Sequence, residues 1–298
     1  MKTLRYLIIR NCKVYFKEKG VFFPSLISPL ILLFLFMAFL GNVYRDSIRA
    51  VVEGFPISDG LVESIASGWL LSSLLAVCTV TIAVAANTIM VQDKALGQAN
   101  DLFVTPVHRS LIALSYFIST FLVTTIICLV ALVAGFIYIG IAGWHLTAAD
   151  VFLALADTLL LILFGTAFSS IVSHFLSSQG GIGAVATTIS ASYGFLCGAY
   201  MPLSQLTPWM TKVIMFLPGT YGTGLLHSHL MGSAINAVTK EGMPVEFADG
   251  LKKGFDCKLY FFETQVPEWT CYLVLGSATL LLIGIYVLLC CIKKKRSK

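Results

Sequence analysis

The sequence predicts an all-α integral membrane protein with six transmembrane helices, an N-terminal interfacial amphipathic helix, a short cytoplasmic helix between two spans, and a re-entrant extracytoplasmic helical hairpin. Three observations carry that prediction. Of 298 residues, 57% are hydrophobic and only 12% are charged, against about 25% charged in a typical soluble domain. The apolar residues gather into runs of the length needed to cross a hydrocarbon core of about 30 Å. Lys and Arg are shared unevenly between the two sides that those runs define.

Residues 1–20 read as an amphipathic helix. Leu4, Leu7, Ile8 and Tyr15 follow helical spacing, and Lys2, Arg5, Arg10, Lys13, Lys17 and Lys19 supply a basic face. Such a helix lies in the headgroup layer of an anionic membrane. The first span is expected over 22–40, with Pro24 and Pro29 near its start, where missing backbone donors matter least. A polar loop follows over 42–64, then the second span over 65–91.

Residues 93–109 are a polar interruption with charges of both signs, Gly97, and Thr105-Pro106 near the end. Pro106 disfavours helix at Thr105, so a helical stub is expected over 93–104, lying at the membrane surface. The third span, 110–141, is long for one crossing and softened at its far end by Gly135, Gly140 and Gly143. The fourth and fifth spans are expected over 151–172 and 182–200. On the fifth, Ser190, Gly194 and Gly198 recur every four residues, a stripe that lets another helix approach closely.

Residues 201–226 are apolar yet hold Pro202, Pro208 and Pro218 with Gly219, Gly222 and Gly224. A broken, re-entrant pair of half-helices fits them, since irregular backbone at membrane depth must lie against protein or a wet cavity. Residues 231–268 form the longest polar loop, sufficient for a small folded cap. The last span, 269–292, stops at Lys293-Lys-Lys-Arg296.

Six spans put both termini on one side. That side collects thirteen Lys/Arg against three acids, and the other collects seven Lys/Arg against eleven acids. The Lys/Arg bias sets orientation, so the termini and 93–109 are expected in the cytoplasm and 231–268 outside, in a multi-pass protein of the cell membrane. No cleavable signal peptide is expected, and nothing points to nucleic acid.

The chemistry points away from an enzyme. There is no G-x-x-x-x-G-K-[ST] phosphate loop and no soluble stretch large enough for an ATPase domain. His227 and His229 are spaced i, i+2, which does not bring two rings together on a helix, so no metal site is expected. Asp157 is the one acid inside a span. Intramembrane carboxylates are functional candidates by default, but at two turns from the helix end it could equally snorkel to the surface. Most of the eight cysteines fall in apolar runs, as small hydrophobes. Cys257 and Cys271 lie in or beside the last polar loop and are either free or, if that loop is extracytoplasmic, bridged.

Two stretches carry a family resemblance. Gly97 through Arg109, ending Leu-Phe-Val-Thr-Pro-Val-His-Arg, resembles the coupling-helix signature of the ABC-2 type exporter permeases. Gly198-Ala-Tyr-Met-Pro-Leu-Ser-Gln-Leu-Thr-Pro-Trp209, with Phe216-Leu-Pro-Gly-Thr-Tyr221, resembles that family's fifth-span exit and re-entrant segment. The chain departs from the pattern where acids are common and Ala95 and Asn100 stand here, and where an Arg is common and His227 falls.

The resemblance implies a transmembrane permease subunit of an ATP-driven exporter. It would pair with a second copy or a homologous permease and dock two separate ATPase subunits, which bind the ATP and magnesium; this chain would bind no cofactor. The coupling residues would be Asp93, Leu96, Gly97, Asn100, Asp101, Leu102 and Phe103, with the leucines and Phe103 as apolar anchors. Phe195, Tyr200, Met201, Trp209 and Tyr221 would line a path for an amphipathic or lipophilic cargo such as a drug, an antibiotic peptide or a lipid-like molecule. The alternative for those side chains is interfacial anchoring against membrane lipid. Other readings are a polysaccharide or glycolipid exporter of the same family, or a channel or membrane enzyme not coupled to ATP.

Overall fold

The computed structural model describes residues 2–51, 58–98, 107–262 and 264–295. Helix α1 (Lys2–Lys17) is followed by a broken first stretch: α2 (Lys19–Ser25), α3 (Ile27–Leu35), a π-helical turn (Phe36–Leu40) and α4 (Gly41–Val51). The long helices are α5 (Asp59–Ala95), α6 (Arg109–Ala142), α7 (Ala148–Phe175) and α8 (Gln179–Leu196). A short α9 (Pro208–Ile214) leads into α10 (Pro218–Val238), α11 (Val245–Gly254), an antiparallel hairpin of β1 (Tyr260–Phe261) and β2 (Thr264–Gln265), and α12 (Glu268–Lys295).

Helix α5 is the axis. It is buried along nearly its whole length and packs against α6, α7, α8 and α10. It has no polar stripe because it has no solvent side; a helix apolar all round belongs in the interior. Two glycines let its neighbours in. A Cβ on Gly165 of α7 would lie 2.4 Å from the Thr79 carbonyl of α5, and one on Gly68 of α5 would lie 2.6 Å from the Leu230 carbonyl of α10. The outer faces of α6 (Leu122, Ile126, Val130, Val133, Ile137) and α12 (Leu273, Leu280, Leu288) are apolar and exposed, an unbroken greasy surface of the kind that marks contact with lipid. Four helices, Asp59–Ala95, Ser110–Ala142, Ala148–Phe175 and Glu268–Cys291, are long and apolar enough to cross a membrane.

The structure departs from the sequence-based expectations at several boundaries. The expected 42–64 loop is helical over Gly41–Val51 and again from Asp59, and the charges of the two helices pair: Arg45 Nε and Nη2 donate to Glu63 at 2.6 and 2.7 Å, and Arg49 donates to Asp59 at 2.8 Å. The π turn forms where the Gly41 amide reaches the Phe36 carbonyl, a position in which a Cβ would come 2.8 Å from that same oxygen. Helix α6 runs unbroken through Gly135 and Gly140 and stops only at Gly143. The fifth apolar stretch leaves the helix at Leu196 rather than running to 200.

The second arm of the expected re-entrant pair continues past 226 to Val238. The expected 231–268 loop is therefore a folded cap of the last turns of α10, α11 and the hairpin. Its core joins Met243, Ala248, Leu251 and Phe255 to Trp69 of α5 and Tyr44 of α4.

Candidate functional site

Buried polar groups concentrate at three levels of the bundle. At the α1 end, Asp93 in the last turn of α5 is 4% exposed. Both of its oxygens accept from Arg10 of α1, Nη2 reaching Oδ1 at 2.9 Å, and the Tyr116 hydroxyl of α6 donates to Oδ2. The hydrogen bond to Asp93 raises the Arg10 guanidinium above its ordinary pKa. Arg10 also donates to Gln98 at 3.0 Å, and Gln92 donates to Glu18 at 3.2 Å. One residue further on, Lys94 Nζ donates to the carbonyls of Ser173 at 2.9 Å, His174 at 3.2 Å and Leu176 at 3.4 Å. A cation on the open carbonyls of a helix end complements its dipole. Adjacent residues thus tie the end of α5 to α1, α6 and α7.

Midway along the bundle, Asn87 of α5 donates to Ser169 at 2.6 Å and Ser170 at 3.2 Å on α7, and accepts from Thr120 of α6 at 3.1 Å. Toward the cap, Asp157 of α7 is 0% exposed. Its Oδ2 lies 2.6 Å from His229 Nδ1 of α10, and its Oδ1 accepts from the Tyr272 hydroxyl of α12 at 2.6 Å. Above it, Asp150 closes a capping box with Thr147 and accepts from Ser233 of α10 at 2.5 Å. Buried carboxylates that are fully hydrogen-bonded across three helices fix helix register.

A profile of the ABC-2 type transporter family matches residues 2–231, most of the chain. The chain belongs to the ABC-2 type transporter family. It is a membrane transport subunit of the ABC class, a permease whose family normally works with an ATP-binding-cassette partner. No match was found among curated proteins.

In this permease the residues singled out from the sequence divide clearly. Of the coupling set, Asp93 belongs to α5 itself and turns inward, whereas Leu96 is 62% exposed and Gly97 takes φ +78°, a left-handed turn that favours glycine. Asn100, Asp101, Leu102 and Phe103 lie outside the described residues, as does the expected 93–104 helix from 99 onward.

Of the expected path residues, Phe195 and Trp209 are exposed, while Tyr200 and Met201 are half-buried. Tyr221 is buried and donates to the Met215 carbonyl at 2.8 Å, so it pins the elbow between α9 and α10. Within the stripe Ser190, Gly194, Gly198, the near neighbour of Gly194 among the described residues is Tyr200 and that of Gly198 is Leu203. The Tyr200 ring folds back onto Gly194, where a Cβ would come 2.3 Å from it, and the Tyr200 hydroxyl reaches the Ser190 carbonyl at 3.5 Å. Gly198 lies beyond the helix, at φ +74°.

Asp157 does not snorkel, since His229 and Tyr272 hold it inside. Cys257 and Cys271 are free thiols, because they are buried in different apolar clusters: Cys257 with Phe255 and Leu251, its thiol 3.4 Å from the His227 carbonyl, and Cys271 with Leu203 and Leu259. His227 and His229 diverge as expected of an i, i+2 pair; His227 stacks on Trp69 at 4.2 Å while His229 meets Asp157.

The sequence alone did not reveal Lys94, Asn87, Tyr116 or Tyr272. Polar residues within spans were the available signal for Asn87, Tyr116 and Tyr272, and Asn87 with Thr88 interrupts an apolar run.

Proposed function

We propose that this permease is the membrane half of an ATP-driven exporter, driven through the segment that begins at Asp93. One observation supports this most: the end of α5 is bound to α1, α6 and α7 by Arg10, Tyr116 and Lys94, while Leu96, immediately beyond, is exposed. A partner ATPase that grips Leu96 and the residues after it moves four helices together. Such rigid-body displacement of packed elements is an established route from ATP-driven closure to alternating access.

In this reading α2, α3 and the π turn form the first span and α8 the fifth, giving six with the membrane-length helices α5, α6, α7 and α12. The exposed Leu30, Ile31 and Phe34 of α3 support a lipid-facing first span. Helices α9 and α10 form the re-entrant pair on the outer side, and both termini are cytoplasmic in the plasma membrane, as the charge asymmetry indicates. Two permease copies pair around the path and two ATPase subunits carry the ATP and magnesium. The exposed Phe195 and Trp209 favour an amphipathic or lipophilic cargo. The test is transport of a panel of labelled amphiphiles by the permease reconstituted with its ATPase. ATP-dependent accumulation on the outer side supports the proposal, and movement of any cargo without the ATPase contradicts it.

A further inference from the structure

A groove of about 440 Å³ lies at the cap end, between the α9 arm and the β1–β2 hairpin. That volume is in the range of small-molecule sites. Its walls are apolar: Leu206, Met215 and Leu259 below, Phe261 and Phe262 on the hairpin side. Three lysines, Lys212, Lys253 and Lys258, also line it. Lys258 is paired with Asp249 at 2.8 Å. Lys212 and Lys253 are exposed and each sits over an aromatic ring, Phe262 at 5.5 Å and Tyr260 at 4.9 Å; among the described residues neither has a carboxylate within salt-bridge distance.

The groove is preformed. Asp256 accepts the Leu203 amide at 2.7 Å, and Ser204 donates to the Gly254 carbonyl at 3.2 Å, so the two walls are tied at the base. Asp256, the carboxylate that lines the groove among the described residues, is 6% exposed and already engaged. Phe216 and Trp209, 67% exposed each, continue the apolar surface beyond the groove along the α9 arm.

We propose that this groove seats one anionic phospholipid of the surrounding membrane, its acyl chain along Met215, Leu259 and Phe262 and its headgroup phosphate between Lys212 and Lys253. Charge complementarity selects this occupant. Two cations with no carboxylate partner among the described residues, beside an apolar trough, match an acidic head joined to a greasy tail, whereas a zwitterionic lipid carries its own cation to the same place. The inference depends on the exporter reading only for placing the groove at the outer leaflet.

The test uses the full-length permease alone, in nanodiscs of mixed phosphatidylglycerol and phosphatidylcholine, with lipid retained after extraction counted by native mass spectrometry. The wild type is expected to retain phosphatidylglycerol in preference to phosphatidylcholine. The double variant Lys212→Gln/Lys253→Gln should lose roughly thirtyfold in that preference, from two lysines near an anionic head. Lys240→Gln, an exposed cap lysine outside the groove, should retain it, and Phe262→Ala should weaken retention of both lipids. Equal retention by wild type and double variant overturns the proposal, as does complete displacement by excess inorganic phosphate, which would mark a phosphate site with no use for a tail. Because no ATPase is present, failure here leaves the coupling proposal untouched, and failure of ATPase docking leaves this result standing.

Discussion

The Arg10 guanidinium grips the Asp93 carboxylate across 83 residues of sequence, Nη2 to Oδ1 at 2.9 Å, with the Tyr116 hydroxyl on the second oxygen. The contact joins a helix expected to float in the headgroup layer to the end of the most buried helix in the protein. It makes α1 and the end of α5 one packed unit.

Breaking that pair should be costly and should show coupling. The Asp93 side chain is 5% exposed and that of Arg10 34%. Arg10→Ala is therefore expected to destabilise by about 2 kcal/mol, less than the roughly 3–5 kcal/mol of a fully buried pair, since water screens the exposed third of Arg10. Arg10→Ala combined with Asp93→Asn should lose less than the sum of the single variants. Thermal unfolding of the four proteins in one detergent measures the cycle; strict additivity would show that the pair does not act as one unit.

The Asp157 cluster predicts a graded series. Asp157→Ala strands the His229 ring and the Tyr272 hydroxyl in the bundle and should destabilise by about 2–4 kcal/mol, the penalty of buried groups left unpaired. Asp157→Asn keeps an acceptor for Tyr272 and should lie between Ala and wild type. The order of their unfolding temperatures checks this, and an Asn variant no better than Ala would contradict the hydrogen-bonding account.

Two glycines of similar sequence context should respond oppositely to alanine. A Cβ at Gly165 meets the Thr79 backbone carbonyl at 2.4 Å, which cannot move without shifting α5; Gly165→Ala should destabilise by about 1–3 kcal/mol. At Gly276 of α12 nothing lies within 4 Å, so Gly276→Ala should be neutral or stabilising by up to about 1 kcal/mol through helix propensity. Unfolding of both variants in the same detergent decides it.

Asp256 makes the cap sensitive to pH. Burial raises its carboxyl from 3.8 to about 7, partly offset by the bond from the Leu203 amide. The folded cap therefore holds a proton that the unfolded chain releases. Its contribution is full below the unfolded pKa and falls as pH rises from about 4 through about 7. Limited proteolysis of the cap should speed up between pH 5 and pH 8 in the wild type and lose that dependence in Asp256→Asn. A wild type equally resistant at both pH values would count against the shift.

How much of this was legible beforehand follows from what each feature depends on. Hydropathy exposed the long helices because length and composition alone identify them. Pro218 opens α10 through backbone chemistry that acts locally, whereas the lysines expected to stop the last span at 292 continue α12 to Lys295. The helical 41–51 stretch was hidden because Arg45 and Arg49 looked like loop residues until Glu63 and Asp59 came round to meet them. On the glycine stripe of α8, Tyr200, six residues on from Gly194, packs against that glycine, a contact within the chain that the spacing alone does not announce. Asp93 read as a surface charge because nothing local announces that Arg10 and Tyr116 enclose it.

The central claim is that the end of α5 carries the mechanical input, and photo-crosslinking from position 96 tests it most directly. With a photoreactive amino acid in place of Leu96, in membranes containing the permease and its ATPase, the account predicts an adduct with the ATPase subunit, and none from the same probe at Phe262 in the hairpin. No ATPase adduct at position 96, or labelling of a cysteine placed there by a membrane-impermeant reagent added outside intact cells, would contradict it.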